Sequence, residues 1–414
     1  MASSREYDLV LLGVTGYTGR LCAEHIVTNH PTDLKWAVAG RSVNKIEGIV
    51  QELKSLNSDR RTPDVLPLQL NTDELNEIAQ KTRLIINCIG PYHLYSTPIV
   101  EACAKNGTHY VDVTGETPWI KLIIEKYHET AKANGAIIIP SVGMESAPPD
   151  ILAWALVKRI REDLSSQTRE IQSCIKEIKS SGASGGTLNT ILSIYDWLPI
   201  SDLVKSFGPF ALTGSGPLKH VPSEPLLTRT LGVQSVPDLG TLTTSPNGIA
   251  DMAIVYRSSV LMPELYGNHF VFRQKLSVSN ALRGVLLHIA INLFLAVLAI
   301  PPVRWLLRKV VFAPGAGPTM EDSQNDHTEY NAIATADQNT PNPKRAFGKL
   351  TYKGTMYVLT GALVSEAAMV ILNGEEKVRK VSRGGLVTPA TLGQDYIDRL
   401  DKVGVHIETK IWDY

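Results

Sequence analysis

The stretch LLGVTGYTGR, residues 11–20, joins an apolar run to a helix-like segment and carries Gly13, Gly16 and Gly19 three residues apart. A strand that ends in glycines and opens a helix brings free backbone N–H groups and the positive end of a helix dipole together, which makes an anion site. Glycines also punctuate many ordinary turns. The position of this stretch at the first strand-to-helix junction of an alternating pattern favours a pyrophosphate-binding turn.

That alternating pattern extends from residue 7 to about residue 141. Runs that are apolar throughout are typical of strands covered on both faces, and their alternation with helices predicts a doubly wound parallel sheet of the α/β class. The predicted strands are 7–13, 35–40, 65–70, 84–90, 109–113 and 136–142, and the predicted helices include 18–29, 43–55 and 95–106.

The rest of the chain has a different pattern, which begins after Pro148 and Pro149. Residues 171–180 alternate as a half-buried antiparallel strand does, and this predicts a second, mixed α+β domain. We expect loops over 208–248 and 320–344, helices at 355–372 and 391–403, and a short final strand in VHIETKI.

Composition excludes some classes of function. The chain has 414 residues and 41 basic against 41 acidic side chains, so it lacks the basic field of a nonspecific nucleic-acid binder. Its four cysteines have no metal-ligand spacing, so we expect free thiols, no metal site and a reducing compartment. The first residues, MASSREYDLV, contain no secretory signal, which makes a cytoplasmic location the default.

One apolar segment stands apart, VLLHIAINLFLAVLAI at 285–300, interrupted by His288 and Asn292 and followed by Pro301. A helix of this length reaches about 24 Å, short of the roughly 30 Å hydrocarbon core of a membrane. Basic residues follow the segment, so residues 285–312 suit a helix hairpin in a lipid surface better than a full span. The alternatives are a buried helix and a dimer contact.

The end of the second predicted strand distinguishes between the two nicotinamide cofactors. NAD enzymes usually place an acid there to bind the ribose 2′-hydroxyl, whereas this chain has Arg41, Ser42 and then Lys45. A guanidinium binds a 2′-phosphate through paired hydrogen bonds, and a merely solvated cation at a helix start opposes the helix dipole. NADPH is therefore predicted over NADH.

The fourth predicted strand ends in NCIGPY, residues 87–92. Ligands of this architecture bind at the carboxyl edge of the sheet, so Asn87 is a candidate for ribose or nicotinamide and Gly90–Pro91 for backbone contact. A plain strand-end turn is the alternative. The predicted cofactor-binding residues are Gly13, Thr15, Gly16, Tyr17, Thr18, Gly19, Arg41, Ser42, Asn87, Gly90, Pro91 and Tyr92.

Several ordered motifs together resemble the saccharopine dehydrogenase-like oxidoreductases, and within them the trans-acting enoyl reductases. They are GVTGYTG (13–19), AGR (39–41), NCIGPY (87–92), YVDVTGE (110–116), SVGMESAPPDI (141–151), SGGT (184–187), GAGPT (315–319) and GGLVTPATLG (384–393). The chain departs from the family at Glu145, where the family often has Asp.

The resemblance implies an N-terminal Rossmann domain, a mixed substrate domain and C-terminal helices that return to the first domain. We place these parts at residues 1–147, 148–350 and 351–414, with the final strand packing on the Rossmann domain. The resemblance also implies NADPH-dependent reduction of a lipid-like or polyketide-type enoyl thioester on a carrier protein or polyketide synthase. Animal relatives are associated with lipid droplets, which agrees with the apolar segment. A homodimer is a further expectation.

Enoyl reduction needs a hydride, a group that polarises the thioester carbonyl and an acid that protonates the α-carbon. The catalytic candidates are Tyr92, His93, Glu116 and Ser184. Each has a simpler alternative: Tyr92 stacking on the cofactor, His93 facing solvent in a loop, and Glu116 capping the helix that follows it.

Three functional interpretations therefore remain open. The first is an NADPH-dependent enoyl reductase. The second is a dehydrogenase or ketoreductase acting on another carbonyl or imine. The third is a protein that binds NADP(H) at a lipid surface without turnover.

Overall fold

The computed structural model describes residues 5–179, 185–214, 223–309 and 326–412. Ser184, the GAGPT turn and residues 310–312 of the apolar segment lie outside the described residues. The elements within these ranges form two sheets with helices around them.

Strands and helices are numbered separately along the chain. The strands are β1 Tyr7–Leu12, β2 Trp36–Gly40, β3 Asp64–Pro67, β4 Thr82–Asn87, β5 His109–Asp112, β6 Ile137–Ile139, β7 Thr168–Lys179, β8 Gln234–Val236, β9 Gly240–Thr244, β10 Val271–Val278, β11 His327–Ala336, β12 Arg345–Lys353, β13 Gly385–Leu386 and β14 His406–Trp412. The helices are α1 Tyr17–Asn29, α2 Val43–Leu56, α3 Thr72–Lys81, α4 Tyr92–Tyr95, α5 Thr97–Asn106, α6 Thr117–Ala133, α7 Ala147–Leu164, α8 Gly185–Trp197, α9 Ile200–Ser206, α10 Leu226–Leu231, α11 Gly248–Leu261, α12 Pro263–Tyr266, α13 Ala281–Leu298, α14 Pro301–Arg308, α15 Met356–Ser382 and α16 Gly393–Lys402.

The first sheet has the order β13-β6-β5-β4-β1-β2-β3, and its described pairs are all parallel. Leu9 and Leu11 of β1 belong to the core on one face of this sheet, whereas Val10 and Leu12 belong to the core on the other face. Helices bury both faces of the central strands β1, β2 and β4, which are largely apolar, whereas the edge strand β3 is partly exposed. This Rossmann arrangement confirms the predicted fold class, and the first predicted elements lie within a few residues of the observed ones.

The C-terminal helices return to the first domain as predicted. Gly361 of α15 lies so close to α1 that an added Cβ would be 3.1 Å from the backbone nitrogen of Cys22. The rings of Tyr17 and Tyr357 meet edge to face at 5.1 Å, and β13 pairs with β6. The final strand, in contrast, does not pack on the Rossmann domain: β14 pairs with β12 at the edge of the second sheet, where its N–H groups gain backbone partners.

The second sheet has the order β14-β12-β11-β7-β10-β9-β8, with β7 and β10 parallel and the other pairs antiparallel. The expected loop at 320–344 is wrong over residues 327–336, which form β11 in the middle of this sheet. Tyr330, Ala332 and Ala334 alternate inward, while the outward Glu329 pairs with Lys349 of β12 at 3.1 Å. The polar outer face concealed this alternation in the sequence.

The expected loop at 208–248 is also only partly right. Its described residues contain α10 and the β8–β9 hairpin, whose turn uses Asp238 and Gly240 at φ values of +71° and +82°. Because the stretch is rich in turn-forming residues, its composition does not reveal strands as short as these. The four cysteines are free thiols, as predicted.

Candidate active site

The glycine turn after β1 has the geometry of a phosphate cradle. Gly13 has φ +85°, and a Cβ there would lie 2.9 Å from the carbonyl of Cys88. A Cβ on Gly19 would overlap the carbonyl oxygen of Gly13, so α1 packs against the turn at a distance that only glycine permits. Gly16 is the N-cap of α1, and that helix has neither a side-chain cap nor an acid in its first turn. The N–H groups at its start are therefore available to an anion.

The neighbouring strand end presents the predicted cation. Arg41 and Ser42 are exposed beside the start of α2, a helix that also lacks a side-chain cap and a first-turn acid. Arg41 has no hydrogen bond or ion pair with any other residue in the described ranges. Both features suit a 2′-phosphate, since the guanidinium is not already neutralised. Of the other predicted residues, Thr15 is exposed and Tyr17 and Thr18 are half-buried.

The predicted ligand role of Asn87 is not supported. Its amide donates to Ser96 Oγ at 2.8 Å and Tyr110 Oη at 3.0 Å, and its oxygen accepts the Ile89 N–H at 3.0 Å. The side chain is fully buried, so Asn87 shapes the loop after β4 from within. Gly90 in that loop is exposed, and a Cβ there would lie 3.9 Å from Thr190 Oγ1 of α8. Pro91 is buried.

The structure brings three of the catalytic candidates together, in a buried cluster. Glu116 accepts the backbone N–H groups of Tyr92 and His93 at 2.7 and 2.8 Å, and His93 Nδ1 lies 2.6 Å from Glu116 Oε2. Glu116 thus caps α4, which precedes it, and makes no side-chain cap on α6, which follows it. His93 is buried rather than solvent-facing, and its ring packs 5.1 Å from that of Trp197.

Tyr92 does not lie free to act on a ligand. Its ring packs at 5.6 Å against Trp119, and its hydroxyl donates to the Asn87 carbonyl at 3.3 Å. Burial raises the pKa of the Tyr92 phenol well above its usual value. The cluster of Tyr92, His93 and Glu116 therefore joins the loops after β4 and β5, with Trp197 of α8 covering His93.

Three acidic residues near this cluster were not among the sequence candidates. Asp112, at the end of β5, accepts the N–H groups of Thr114 and Ser141 at 3.0 Å each and the Tyr110 hydroxyl at 2.8 Å. Burial raises the pKa of Asp112 to about 7. The position of Asp112 at a strand end within YVDVTGE was a usable signal.

Glu145 and Asp251 are the other two. Glu145 is exposed, and a Cβ on Gly115 would overlap its Oε2, so its carboxyl group lies directly against the loop after β5. Asp251 is fully buried on α11, and neither of its oxygens has a hydrogen-bond partner among the described residues. A lone acid in an apolar helical stretch gave no signal that would have found Asp251.

Comparisons with known proteins agree with this geometry. Residues 9–139 match the family described as the saccharopine dehydrogenase NADP binding domain. The N-terminal domain is thus similar to that family. The cradle at Gly13 and Gly19, the uncapped start of α1 and the unpartnered Arg41 fit NADP(H), which is the cofactor of this domain.

The similarity to known proteins extends beyond that domain. The chain is 26% identical to the trans-acting enoyl reductases of Mycobacterium ulcerans and Mycobacterium tuberculosis, covering 98% of this chain and 98% of each relative. The structure of saccharopine dehydrogenase (L-Glu forming) from Saccharomyces cerevisiae shares the fold at a TM-score of 0.56 and 12% identity, over 98% of this chain and 99% of that one. The predicted resemblance is confirmed, and the chain is an NADP(H)-binding oxidoreductase.

Replacing Arg41 with alanine is expected to weaken NADPH binding by roughly 1.5–3 kcal/mol, the usual value of a hydrogen bond to a charged group. NADH binding should change little, because NADH lacks the 2′-phosphate. Fluorescence titration of both cofactors measures this, with Lys54→Ala at the far end of α2 as the control. Equal losses for NADPH and NADH would contradict the assignment of Arg41 to the 2′-phosphate.

Proposed function

We propose that this protein reduces the C=C bond of a lipid-like or polyketide-type enoyl thioester, with NADPH as reductant and the acyl group carried on a carrier protein or coenzyme. The observation that carries the proposal is the extent of the similarity to trans-acting enoyl reductases, which covers 98% of both chains. It therefore includes the second sheet and α8 as well as the cofactor domain.

The geometry supports a reaction at the carboxyl edge of the first sheet. NADPH supplies a hydride when bound, and the chain's own residues bind and orient the cofactor and the substrate. The cradle and Arg41 hold phosphates, while Glu116 ties the loops after β4 and β5 together through backbone N–H groups. Trp197 of α8 packs over His93, so the second domain covers part of this edge and limits the access of water.

The test is oxidation of NADPH in the presence of defined substrates. We expect absorbance loss with 2-enoyl thioesters of coenzyme A or of a phosphopantetheinylated carrier, and the saturated thioester as product. Turnover of 3-keto thioesters or imines only would favour the dehydrogenase or ketoreductase alternative. NADPH binding without oxidation by any of these substrates would favour a non-catalytic NADP(H)-binding protein.

We also propose that α13 and α14 dock on a lipid surface. Two described helices are long and apolar enough to cross a membrane. The apolar stretch of Met356–Val381 is 83% buried within the protein, whereas that of Ala281–Leu298 is only 11% buried. The apolar character of α15 is therefore explained by its packing in the core. The alternative that α13 is buried by its own chain is not supported in the described part of the structure.

The polar residues of α13 explain how it is oriented. His288 Nδ1 lies 2.8 Å from Thr244 Oγ1 of β9, and the Gly284 carbonyl accepts the Thr243 hydroxyl at 2.8 Å. This side of the helix therefore faces the second sheet. Large apolar side chains lie exposed on the rest of α13 and on α14: Leu282, Leu286, Ile289, Leu293, Phe294, Leu295, Trp305 and Leu306.

Charge favours an anionic lipid headgroup as the partner of this surface. Arg283 is exposed at the start of α13, and Lys309, also exposed, lies with its Nζ 3.6 Å from the ring centre of Trp305 at the end of α14. Lysine and tryptophan side by side are suited to the interface of a membrane. Arg304, one of the basic residues that follow the apolar segment, binds Asp196 at 2.8 Å and caps α13 at the Leu298 carbonyl.

The double variant Leu293→Glu/Phe294→Glu is expected to reduce binding to phosphatidylcholine–phosphatidylserine vesicles at least about tenfold, because burial of these two exposed apolar side chains in lipid would contribute roughly 3 kcal/mol or more. Vesicle flotation of the full chain measures this. Leu56→Glu, a similarly exposed leucine on the cofactor domain, is the control. Unchanged flotation, or a dimer that the double variant converts to monomer, would contradict lipid docking.

A further inference from the structure

We propose that Glu145 is the acid that protonates the α-carbon of the substrate in the proposed reduction. The inference rests on that proposed function and deepens it. It assigns a specific side chain of this chain to the proton-transfer step.

Two hydrogen bonds to the backbone of Met144, the preceding residue, hold Glu145 in place. The Met144 N–H donates to Thr360 Oγ1 of α15 at 3.2 Å, and the Met144 carbonyl accepts the Tyr330 hydroxyl of β11 at 3.4 Å. The loop after β6 is therefore tied both to the C-terminal helix and to the second sheet. The Glu145 carboxyl group lies against the backbone of Gly115, in the loop after β5.

The side chain combines access with the absence of partners. Glu145 is exposed, yet it makes no hydrogen bond or ion pair with any residue of the described ranges. The surrounding protein atoms nevertheless raise the pKa of Glu145 by desolvation. A carboxyl group that is reachable but poorly solvated retains its proton to higher pH than a surface glutamate does, which suits a general acid.

Further ionisable groups face Glu145 from the elements around it. Asp251 of α11 and Tyr330 of β11 are buried, and burial together with the charge of Glu145 raises the pKa of each. Glu116 follows Gly115 directly, with its carboxylate already bound to α4 and His93. None of the lysines or arginines in the described residues pairs with Glu145 or Asp251. The protonated form of Glu145 is thus opposed by no neighbouring cation.

The other acids in this region are less suited to the role. Both oxygens of Asp112 accept internal hydrogen bonds, and Asp251 is enclosed. Tyr92 and His93 are buried beneath Trp119 and Trp197. Glu145 is the acid of this group whose side chain is exposed.

The β-carbon of the enoyl thioester gains a hydride from NADPH, which becomes NADP⁺, and the C=C bond becomes a single bond. The O–H bond of the Glu145 carboxyl group breaks as a C–H bond forms at the α-carbon. The resulting carboxylate then takes a proton from water, so one NADPH and one proton are consumed for each double bond reduced.

The first experiment compares Glu145→Gln with wild type in the full chain. We expect kcat to fall by about 10²–10⁴-fold, the usual contribution of a general acid, with NADPH affinity unchanged. Wild-type kcat should fall as pH rises through the pKa of the carboxyl group, and Glu145→Asp should recover part of the rate and this pH profile. Glu129→Gln, an exposed carboxylate on α6, is the control. A Glu145→Gln enzyme with kcat near that of wild type would overturn the proposal.

The second experiment needs no substrate, so it separates failure of this inference from failure of the proposed function. NADP⁺ carries a positive nicotinamide ring, so a nearby carboxylate favours NADP⁺ over NADPH. In the wild-type protein, the ratio of NADP⁺ affinity to NADPH affinity should therefore rise with pH, by at most about tenfold per pH unit for one proton. Glu145→Gln should abolish this rise, and Gly115→Ala should alter it by displacing the carboxyl group. A ratio independent of pH, or one with the same slope in Glu145→Gln, would overturn the assignment whatever the substrate.

Discussion

Replacing Gly19 with alanine is expected to reduce NADPH affinity by about 5- to 150-fold. The added methyl group would overlap the carbonyl oxygen of Gly13 and lie 3.1 Å from the Val14 nitrogen, and both are backbone atoms of the turn. The clash is relieved only if the start of α1 moves away from the turn. Overpacking of this kind costs about 1–3 kcal/mol. If the phosphate-binding N–H groups move to relieve it, the free energy of NADPH binding becomes less favourable by a similar amount.

A matched control for this prediction exists in the next helix. Gly48 lies on the exposed side of α2, and an added Cβ there meets no atom within 4 Å. Gly48→Ala should leave NADPH affinity unchanged and raise stability by about 0.5–1 kcal/mol, because alanine restricts the unfolded chain and favours a helix. Calorimetric titration with NADPH, together with thermal unfolding, distinguishes the two variants. Retention of full affinity in Gly19→Ala would show that the cradle does not bind the cofactor.

Replacing Glu366 with alanine is expected to lower the free energy of unfolding by about 3 kcal/mol. Glu366 of α15 is almost completely buried between His25 and His30, whose Nε2 atoms lie 2.9 and 3.2 Å from its Oε1, and its Oε2 accepts Arg399 Nε at 2.6 Å. The network joins α15 to α1 and α16. Removal of one partner from a buried ion pair leaves the others without compensation, which is the reason for the large cost.

The same network predicts that the protein loses stability in acid. Burial would raise the pKa of Glu366, but hydrogen bonds from His25 and His30 and the charge of Arg399 lower it far below its ordinary 4.5. Burial lowers the pKa of His30 from 6.5. Both groups bind protons more readily in the unfolded chain, so stability should fall as pH drops below 6.5 and fall further below 4.5. Glu366→Ala should flatten the part of this dependence below pH 4.5, which comes from the carboxylate itself.

Chemical unfolding across this pH range measures the effect, with Glu77→Gln as the control. Glu77 pairs with Lys81 one turn away on α3, and both side chains are largely exposed, so its loss should cost well under 1 kcal/mol. Equal stability losses in the two variants would contradict the importance of the buried network. The carboxylate and the two imidazoles also have the residue types of a metal site. Arg399 occupies the second carboxylate oxygen, and its charge opposes a bound cation, so we interpret the cluster as an ion-pair network.

Much of the first domain was predictable because its signals are local. The central strands β1, β2 and β4 of the first sheet are largely buried, so their apolar runs are easily recognised, and Gly16 and Gly19 of the turn both pack against the backbone of Gly13 a few positions away. The unpartnered Arg41 follows directly from its position at a strand end. These features depend on one residue and its neighbours along the chain, and the family match at 9–139 agrees with them.

The second domain was less predictable because its strands depend on distant partners. β11 lies in a polar stretch and becomes a central strand only because β7 and β12 pair with it on both sides. β14 was predicted as a strand, but the free edge of β12 determines that it joins the second sheet. The exposure of α13 likewise depends on which side of the helix contacts β9.

The amino-acid sequence by itself thus predicted the parallel sheet, the glycine turn, NADP(H) as the cofactor and the family resemblance, since each follows from residues adjacent in the chain. Only the tertiary structure decided that Glu116 caps α4 and that the Asn87 side chain makes its hydrogen bonds within the protein. It also decided that Glu145, Asp251 and Tyr330 lie close together. Those three residues come from segments about 80 to 185 positions apart in the chain. Long-range packing between the two sheets brings them together, and no local pattern encodes that packing.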